Sequence, residues 1–313
     1  MNKATLREKI EIKDVNLLGT TAPENFISNS ENAYKKQVAF IAKDIIERQT
    51  VKIVLLAGPS SAGKTTSANL IKKELILNGK EAEVISMDNF FINRDVTPMF
   101  EDGTYDFENV NTVDIPYFKN FINDILSDKV AKMPDFDFYT GTRKKEFTDI
   151  KLNKNSILII EGIHALNPII MDQKHEDQIY KVFVNPNVEY YEGDEKIVHV
   201  RELRRIRRMI RDFYTRGIKP HETLLNWKNV VAGEKKYIFP YKENADFILD
   251  SSHPYEPMMY RKYLPALLDG SKEAMEISED LHHFEPMDVS LLPDDSLLQE
   301  FLSGVIKSLK NQH

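Results

Sequence analysis

The stretch VKIVLLAGPSSAGKTT, residues 51–66, joins an apolar run to a glycine-rich turn and a Lys-Thr pair, and a helical pattern follows over about 65–77. This order of strand, loop and helix is typical of a phosphate-binding loop, in which backbone N–H groups curl around one anionic point. Lys64 is expected to reach the outer phosphates, and the Thr65 hydroxyl to ligate Mg²⁺. The positive end of the helix dipole would add to the attraction. The stretch predicts a nucleoside triphosphate site formed by Gly58, Pro59, Ser60, Ser61, Ala62, Gly63, Lys64, Thr65 and Thr66.

The composition narrows the class of protein. The chain has 313 residues, 42% of them hydrophobic, and a formal net charge of −7. An acidic protein lacks the basic surface that general nucleic-acid binding needs, so no nucleic-acid partner is expected. The absence of cysteine excludes disulfides and zinc-thiolate sites. No apolar run approaches the roughly 20 residues of a membrane span, and no secretory signal is visible, so we expect a cytoplasmic protein with no membrane association.

Five short apolar runs predict the strands of the main sheet. Helical patterns separate most of them, notably over 31–49 and 115–127. Alternation of strands and helices predicts an α/β fold of the P-loop NTPase type, an open parallel five-stranded sheet with helices on both faces. The predicted strands are 52–57, 83–87, 156–160, 180–184 and 246–250.

Other segments depart from this alternation. Residues 134–153 alternate in polarity around a Thr-Gly-Thr turn, which predicts a small β-hairpin flap. The polar stretch 92–107 reads as a long loop of the kind that often forms a lid. We therefore divide the chain into an N-terminal segment at 1–30, a P-loop domain at 31–265 and a C-terminal helical extension at 266–313. The terminal residues 1–30 and 270–313 could serve subunit contacts in a homo-oligomer.

Carboxylates follow two of the predicted strands. Asp88 comes directly after the second strand and Glu161 ends the third. Ligands of open α/β sheets bind beyond the carboxyl ends of the strands, so both side chains are expected near the phosphate loop. Asp88 could take the proton of an acceptor hydroxyl, although an N-cap role would also suit it. Glu161 could hold Mg²⁺ together with Thr65, or lie in solvent as a strand-end carboxylate.

Residues 196–219 carry nine Lys or Arg against two acids within an acidic chain. Leu203, Ile206, Ile210 and Phe213 form an apolar stripe on a helical wheel, and arginines 204, 207, 208 and 211 fall together on the adjoining flank. Because basic surface is not apparent elsewhere, a phosphate clamp is favoured over a nucleic-acid patch. The stretch predicts an arginine-rich lid helix over about 199–216.

These motifs together resemble the uridine kinase and phosphoribulokinase family of P-loop kinases. The resemblance runs from about residue 50 to 260 and is nearest to bacterial uridine kinase-like nucleoside kinases. Weaker similarity continues through 292–302. The matching stretches besides the phosphate loop are 86–91, 105–108, 134–143, 160–163, 207–212, 216–217 and 245–246.

The resemblance implies roles for individual residues. Asp88 matches the catalytic base, and Glu108 stands where the family has an Asp that binds the ribose hydroxyls. Arg208 and Arg211 match the lid arginines that touch substrate and phosphates, and Asp246 matches a residue near the adenine of ATP. The implied catalytic set is Asp88, Lys64, Arg208 and Arg211, and the implied substrate set is Glu108, Phe136, Arg143, Arg208, Arg216 and Asn226.

The expected function is transfer of the γ-phosphoryl group of ATP, with Mg²⁺, to the 5′-hydroxyl of a nucleoside, uridine or cytidine first. Four positions depart from the family pattern: Phe136 replaces a Tyr that contacts the pyrimidine, Gly141 a base-binding His, Ile218 an Arg and Asn226 a Gln. Lost hydrogen-bonding groups weaken selection of the base. Two alternatives stay open. One is a kinase for another small hydroxyl compound, such as a sugar phosphate or a pantothenate-like molecule, and the other is a non-catalytic ATP-binding regulator.

Overall fold

The apolar run before the phosphate loop forms the central strand of a five-stranded, fully parallel sheet. A computed structural model describes residues 7–171, 173–264 and 272–310 of the chain. Within these residues no helix is long and apolar enough to cross a membrane. The strands of the described ranges are β1 (Glu8–Glu11), β2 (Ile53–Ala57), β3 (Glu81–Ser86), β4 (Ala131–Asp137), β5 (Thr142–Ile150), β6 (Ser156–Glu161), β7 (Ile179–Asn185), β8 (Val188–Glu192), β9 (Glu195–Val198) and β10 (Phe247–Asp250).

The main sheet has the order β10-β7-β2-β6-β3 and confirms all five predicted strands. Side chains of β2 alternate between two cores, as a two-residue period requires. Ile53 and Leu55 face one core, whereas Val54 and Leu56 face the other. Both cores are closed by helices, so the predicted α/β class with helices on both faces is confirmed. The helices are α1 (Ile12–Thr21), α2 (Pro23–Glu47), α3 (Lys64–Leu77), α4 (Ile115–Leu126), α5 (Val200–Arg216), α6 (Pro220–Tyr237), α7 (Glu256–Tyr263), α8 (Lys272–His282) and α9 (Gln299–Lys310).

Local sequence explains where the helices begin. Helix α4 starts after Asp114, whose Oδ1 accepts a hydrogen bond from the Tyr117 N–H at 3.1 Å. Helix α2 begins at Pro23, before the predicted position 31, because proline suits the first turn of a helix. Helix α5 ends at Gly217, which has φ +67 and forms the left-handed C-cap.

The predicted hairpin flap is present as β4 and β5, paired antiparallel. Gly141 lies at its tip with φ +71. The predicted long loop 92–107 contains a short 3₁₀ turn at Arg94–Val96 and an isolated bridge between Met99 and Tyr105. The Arg94 N–H donates to the Gly141 carbonyl at 2.8 Å, so this loop contacts the tip of the flap.

A second, three-stranded sheet of order β1-β8-β9 was not predicted. Strand β1 reads Glu8-Lys9-Ile10-Glu11 and pairs in parallel with β8. A charged, largely exposed edge strand carries almost no apolar signal, because its stability comes from pairing rather than burial.

The described part of the C-terminal region is helical, as predicted, in α8 and α9. Leu297, Leu298, Phe301 and Leu302 are fully or almost fully buried. They join the core that also contains Val54 and Leu56, so the last helix is packed onto the sheet layer that carries the phosphate loop. Residues 266–271 and 311–313 of the predicted extension lie outside the described residues.

Candidate active site

The phosphate loop adopts its tight conformation through glycines placed where a side chain could not fit. A Cβ on Gly58 would lie 2.2 Å from the carbonyl oxygen of Val184. Gly63 has φ +88, a left-handed conformation that favours glycine. Helix α3 begins at the next residue, and Lys64 Nζ donates to the Pro59 carbonyl at 3.1 Å. The ammonium group is thus folded back over the loop, at the positive end of the helix.

The loop opens into a cavity of about 230 Å³ at the carboxyl edge of the sheet. This cavity brings together most of the residues that the sequence nominated from separate segments. Its lining includes Ser60, Ser61, Gly63, Lys64, Thr65, Asp88, Glu108, Glu161, Arg208, Arg211 and Arg216. With Glu300 of α9, four acids and four cations therefore surround one volume. Its apolar side chains are limited to Phe91, Phe107 and Ile163, so the setting suits a charged group better than an apolar ligand.

Asp88 reaches the cavity from a 3₁₀ turn, Met87–Phe90, that follows β3. Ser86, rather than Asp88, caps this turn: its Oγ accepts from the Asp88 N–H at 3.2 Å. The Asp88 carboxylate is thereby left for the cavity. Burial raises the pKa of Asp88, while the nearby charges of Lys64 and Arg216 act to lower it. A carboxylate with a raised pKa accepts a proton more readily.

Glu161 ends β6, in register with Ser86 of β3 and Leu56 of β2. Burial raises its pKa to about 7 against the opposing effect of Lys64. Among the described residues, no cluster of three or more His, Cys, Asp or Glu could hold a metal ion without other ligands. A single carboxylate and the Thr65 hydroxyl still fit Mg²⁺, which commonly takes one or two carboxylates and completes its shell with phosphates and water.

Glu108 is another carboxylate that lines the cavity. Its Oε1 lies 4.0 Å from Arg208 Nη1, and burial raises its pKa to about 7. Its Oε2 is buried and has no hydrogen-bond partner within the described ranges. Gly233 permits this placement, since a Cβ there would lie 2.2 Å from the Glu108 Cβ. A buried carboxylate oxygen without a donor is costly, and a ligand hydroxyl would satisfy it.

Helix α5 supplies the cationic wall. Arg208 Nη1 donates to Ser60 Oγ at 2.9 Å, which ties the helix to the phosphate loop. Arg211 and Arg216 share the carboxylate of Asp212 with Arg208, at 2.9 Å, 3.2 Å and 3.4 Å respectively. Asp212 is 2% exposed. One buried carboxylate thus holds three guanidinium groups beside the cavity, an arrangement suited to a phosphoryl group.

Two arginines of the same helix face away from the cavity, which the sequence did not reveal. Arg204 makes a two-contact ion pair with Glu234 at 2.6 Å and 2.8 Å, and it donates to the Ser60 carbonyl at 3.0 Å. Arg207 pairs with Glu256 at 2.5 Å and 2.7 Å. Both arginines are at most 1% exposed. Arg207 also donates to the Ser61 carbonyl at 3.4 Å, so both arginines contact the backbone of the phosphate loop and support it.

Four residues that were nominated from segments other than the phosphate loop do not line this cavity: Phe136, Arg143, Asn226 and Asp246. Phe136 belongs to the flap strand β4 and packs edge-on to Phe91 and Phe138 in an aromatic cluster. Arg143 donates to Asp114 and to two backbone carbonyls, so its guanidinium is engaged in holding the flap.

Asn226 lines a neighbouring cavity of about 390 Å³ that shares Glu108 and Arg208 with the first. Asp246 is farther away. It precedes β10, accepts from the Lys181 N–H at 2.8 Å, and pairs with Arg48 at 2.9 Å. This position lies at the amino edge of the sheet, opposite the phosphate loop, so the structure does not bring Asp246 to the cavity and we do not assign it to nucleotide binding.

The structure adds Glu300 of α9 to the cavity lining. Its Oε2 accepts hydrogen bonds from the Thr66 N–H at 3.3 Å and from Thr66 Oγ1 at 2.7 Å. No local pattern separates Glu300 from the other acids of an amphipathic helix, and the contact spans 234 residues of sequence. Only the weak similarity across 292–302 could have drawn attention to this segment.

Three kinds of comparison relate the chain to known proteins. A family model described as "Phosphoribulokinase / Uridine kinase family" matches residues 53–254, more than half of the chain. The uridine kinase of Mycoplasma genitalium is 26% identical over 205 residues, which are 65% of this chain and 87% of that protein. The uridine-cytidine kinase C of Dictyostelium discoideum is 28% identical over 217 residues, 69% of this chain and 42% of that protein.

Solved structures show lower similarity. A possible uridine kinase from Bacillus stearothermophilus superposes with a TM-score of 0.45 at 17% identity, covering 69% of this chain and 98% of that one. D-glycerate 3-kinase from Cryptococcus neoformans superposes with a TM-score of 0.45 at 14% identity, covering 66% of this chain and 89% of that one.

Proposed function

The chain belongs to the phosphoribulokinase/uridine kinase family of kinases, and from this premise we propose that it phosphorylates the 5′-hydroxyl of a nucleoside with ATP. Uridine and cytidine are the leading acceptors. The observation that carries the proposal is the single cavity that joins Lys64, Asp88 and three arginines to Glu108, whose Oε2 is buried. A nucleotide-binding regulator would not need an acid opposite the phosphate loop.

The donor would lie on the phosphate loop. The N–H groups of residues 58–66 and the ammonium of Lys64 would bind its phosphates. Thr65 and Glu161 would hold Mg²⁺, which neutralises phosphate charge when bound. Proximity of a cation would also favour the charged form of Glu161, whose pKa is otherwise raised to about 7.

Asp88 would act at the acceptor hydroxyl. As the hydroxyl oxygen bonds to the γ-phosphorus, the bond from that phosphorus to the bridging oxygen of ADP breaks, and the hydroxyl proton passes to Asp88. Arg208 and Arg211 would stabilise the charge on the moving phosphoryl group, because guanidinium groups preorganised beside it need not rearrange during transfer. The products would be ADP and the nucleoside 5′-monophosphate.

Glu108 would orient the acceptor. Its partnerless Oε2 is an acceptor for a ribose hydroxyl, and the adjoining cavity of about 390 Å³ offers room for a small molecule. Tyr105, Phe107 and Asn226 line this second cavity and would contact the remainder of the acceptor.

One observation favours a second candidate, an acceptor that carries an anionic group, such as a sugar phosphate. The Arg94 side chain lies over Gly141, where a Cβ would come within 2.7 Å of Arg94 Nε. Arg94 Nη2 donates to the Phe138 carbonyl, and no carboxylate among the described residues forms an ion pair with it. A cation at the tip of the flap would attract an anion, and it leaves no room for a histidine at position 141.

An acceptor screen tests the proposal. ADP release is measured with Mg-ATP and, in turn, uridine, cytidine, a purine nucleoside and ribulose phosphate, for the wild type and for Asp88→Asn. We expect pyrimidine-dependent ADP release that Asp88→Asn lowers by about 10³-fold or more, because general-base catalysis and the charge in the cavity are both lost. Asp95→Asn, at an exposed acid of the 92–107 loop, is the matched control and should be unaffected. Release with ribulose phosphate alone would favour the anionic acceptor, and ATP binding with no acceptor-dependent release would favour the regulator.

A further inference from the structure

The last helix of the chain, outside the region 53–254 matched by the family model, closes over the phosphate loop. Leu297 is fully buried against Gly63, where a Cβ would lie 2.6 Å from Leu297 Cδ1. The loop and the C-terminal segment are therefore packed so closely that neither can accept an additional carbon atom at this point.

Within this contact, the Glu300 carboxylate lies at a position that is suited to an anion. The N–H of Thr66 lies in the first turn of α3, where backbone donors have no partner within the helix. Glu300 Oε2 accepts from this N–H and from the Thr66 hydroxyl, at 3.3 Å and 2.7 Å. Its negative charge also sits at the positive end of the helix dipole. The contact has the donors and the electrostatics of a bound phosphate oxygen.

The surrounding packing determines where this carboxylate lies. Phe301, the next residue, is 1% exposed and lies 5.1 Å beneath the guanidinium of Arg207. At the start of the segment, Ser296 Oγ donates to the buried Glu31 at 2.5 Å. Because residues on both sides of Glu300 are anchored in the core, its carboxylate is directed at Thr66 by the fold.

A nucleotide on the phosphate loop would need the same donors. In such loops the first N–H groups of the helix bind the phosphates, and Thr66 follows the Lys-Thr pair directly. A carboxylate and a phosphate oxygen cannot share one N–H and one hydroxyl, and their charges repel. We propose that Glu300 occupies the inner-phosphate position of the donor site and that a bound triphosphate displaces its side chain, so that the C-terminal helix lowers the affinity for the donor.

The inference rests on the nucleotide-binding half of the proposed function and is independent of the acceptor. It also gives the C-terminal segment a defined effect on the enzyme: any interaction that draws α9 away from the loop would raise affinity for ATP. A ligand that must displace an internal group binds more weakly than it would bind to the open site, because part of its binding free energy is spent on the displacement.

Binding measurements on two variants test this. Isothermal titration with Mg-ATP, without acceptor, gives the dissociation constant for wild type, Glu300→Ala and Glu300→Gln. We expect binding about tenfold tighter for Glu300→Ala, and about threefold tighter for Glu300→Gln, since a neutral amide oxygen still accepts from Thr66 but more weakly. Inorganic tripolyphosphate should show the same order, because the competition concerns phosphate.

Asp295→Asn is the matched control. It removes one negative charge from the same segment, at an exposed pair with Lys35 away from the cavity, and should leave the dissociation constant unchanged. Either of two outcomes, with the thermal midpoints of both Glu300 variants intact, would overturn the inference. Equal binding of ATP would show that Glu300 does not compete with the phosphates, and weaker binding would show that it supports the donor site. Glu300→Gln keeps the test valid if Glu300→Ala does not fold. Failure of the acceptor screen would leave this result standing, so the two proposals fail separately.

Discussion

Helix α5 carries two sets of arginines that differ in exposure and in partner. The buried arginines, Arg204 and Arg207, are each matched by one carboxylate, Glu234 and Glu256 respectively. The cavity-facing arginines, Arg208, Arg211 and Arg216, share the carboxylate of Asp212, and Arg208 also lies 4.0 Å from Glu108. One set is neutralised pair by pair, and the other keeps an excess of positive charge. The difference separates arginines that support the phosphate loop from arginines that line its cavity, and we propose that the second set binds the ligand.

The largest effect expected from this comparison is on stability. Arg207→Ala would leave Glu256 buried, charged and without its ion-pair partner, although the Tyr260 hydroxyl would still donate to it. Removing one member of a buried pair costs about 3–5 kcal/mol, mostly from the uncompensated charge. We expect the free energy of unfolding, measured with urea, to fall by about this amount. The neighbouring variant Arg208→Ala should lose less than about 1 kcal/mol, because its guanidinium is partly solvated. Equal losses in the two variants would contradict the division into two sets.

The second prediction concerns catalysis. Arg208→Ala should lower kcat with the best acceptor by about 10³-fold, since arginines that contact the transferred phosphoryl group contribute on that scale. Its thermal midpoint should change little. Arg208→Lys keeps the charge but loses the planar guanidinium that contacts Ser60, so its kcat should lie between those of the wild type and Arg208→Ala. A loss of less than tenfold in Arg208→Ala would mean that the cavity-facing set is scaffold as well.

Sequence periodicity could place these arginines on one flank but could not separate them. On an α-helix, positions 204, 207, 208 and 211 fall within an arc of about 100°, and the choice between core and cavity depends on what packs against each edge of that arc. The deciding partners, Glu234 on α6 and Glu256 on α7, lie 30 and 49 residues away in the chain. Non-local ion pairs of this kind leave no periodic signal.

The same reasoning separates the predictable from the unpredictable elsewhere. The phosphate loop and the five strands of the main sheet could be predicted because a run of β-branched residues and a glycine-rich turn are local features. Asp88 and Glu161 followed from the rule that parallel strands end at one edge. Strand β1 and the contact of Glu300 with Thr66 could not be predicted, because each depends on pairing between distant segments. Asp246 was misplaced for a related reason: a motif match fixes its identity but does not give the edge of the sheet at which it lies.

Asp212 offers the finest test of the comparison, because it is buried like Glu234 and Glu256 but serves the cavity-facing set. Asp212→Asn keeps the size of the side chain and one acceptor oxygen while removing the charge that Arg208, Arg211 and Arg216 share. The three guanidinium groups would then repel one another and spread, so we expect kcat to fall about tenfold, with the KM for ATP changing by less than threefold. Loss of the fold would also lower the apparent kcat without changing the KM for ATP, because fewer molecules would be active. The variant's free energy of unfolding therefore has to be measured beside kcat and KM to identify a positioning role. Asp212→Glu should recover part of the rate because it restores the charge.

If Asp212→Asn instead lost 3 kcal/mol or more of stability, as Arg207→Ala is expected to, Asp212 would belong with the buried pairs, and the cavity-facing arginines would owe their positions to the cavity alone.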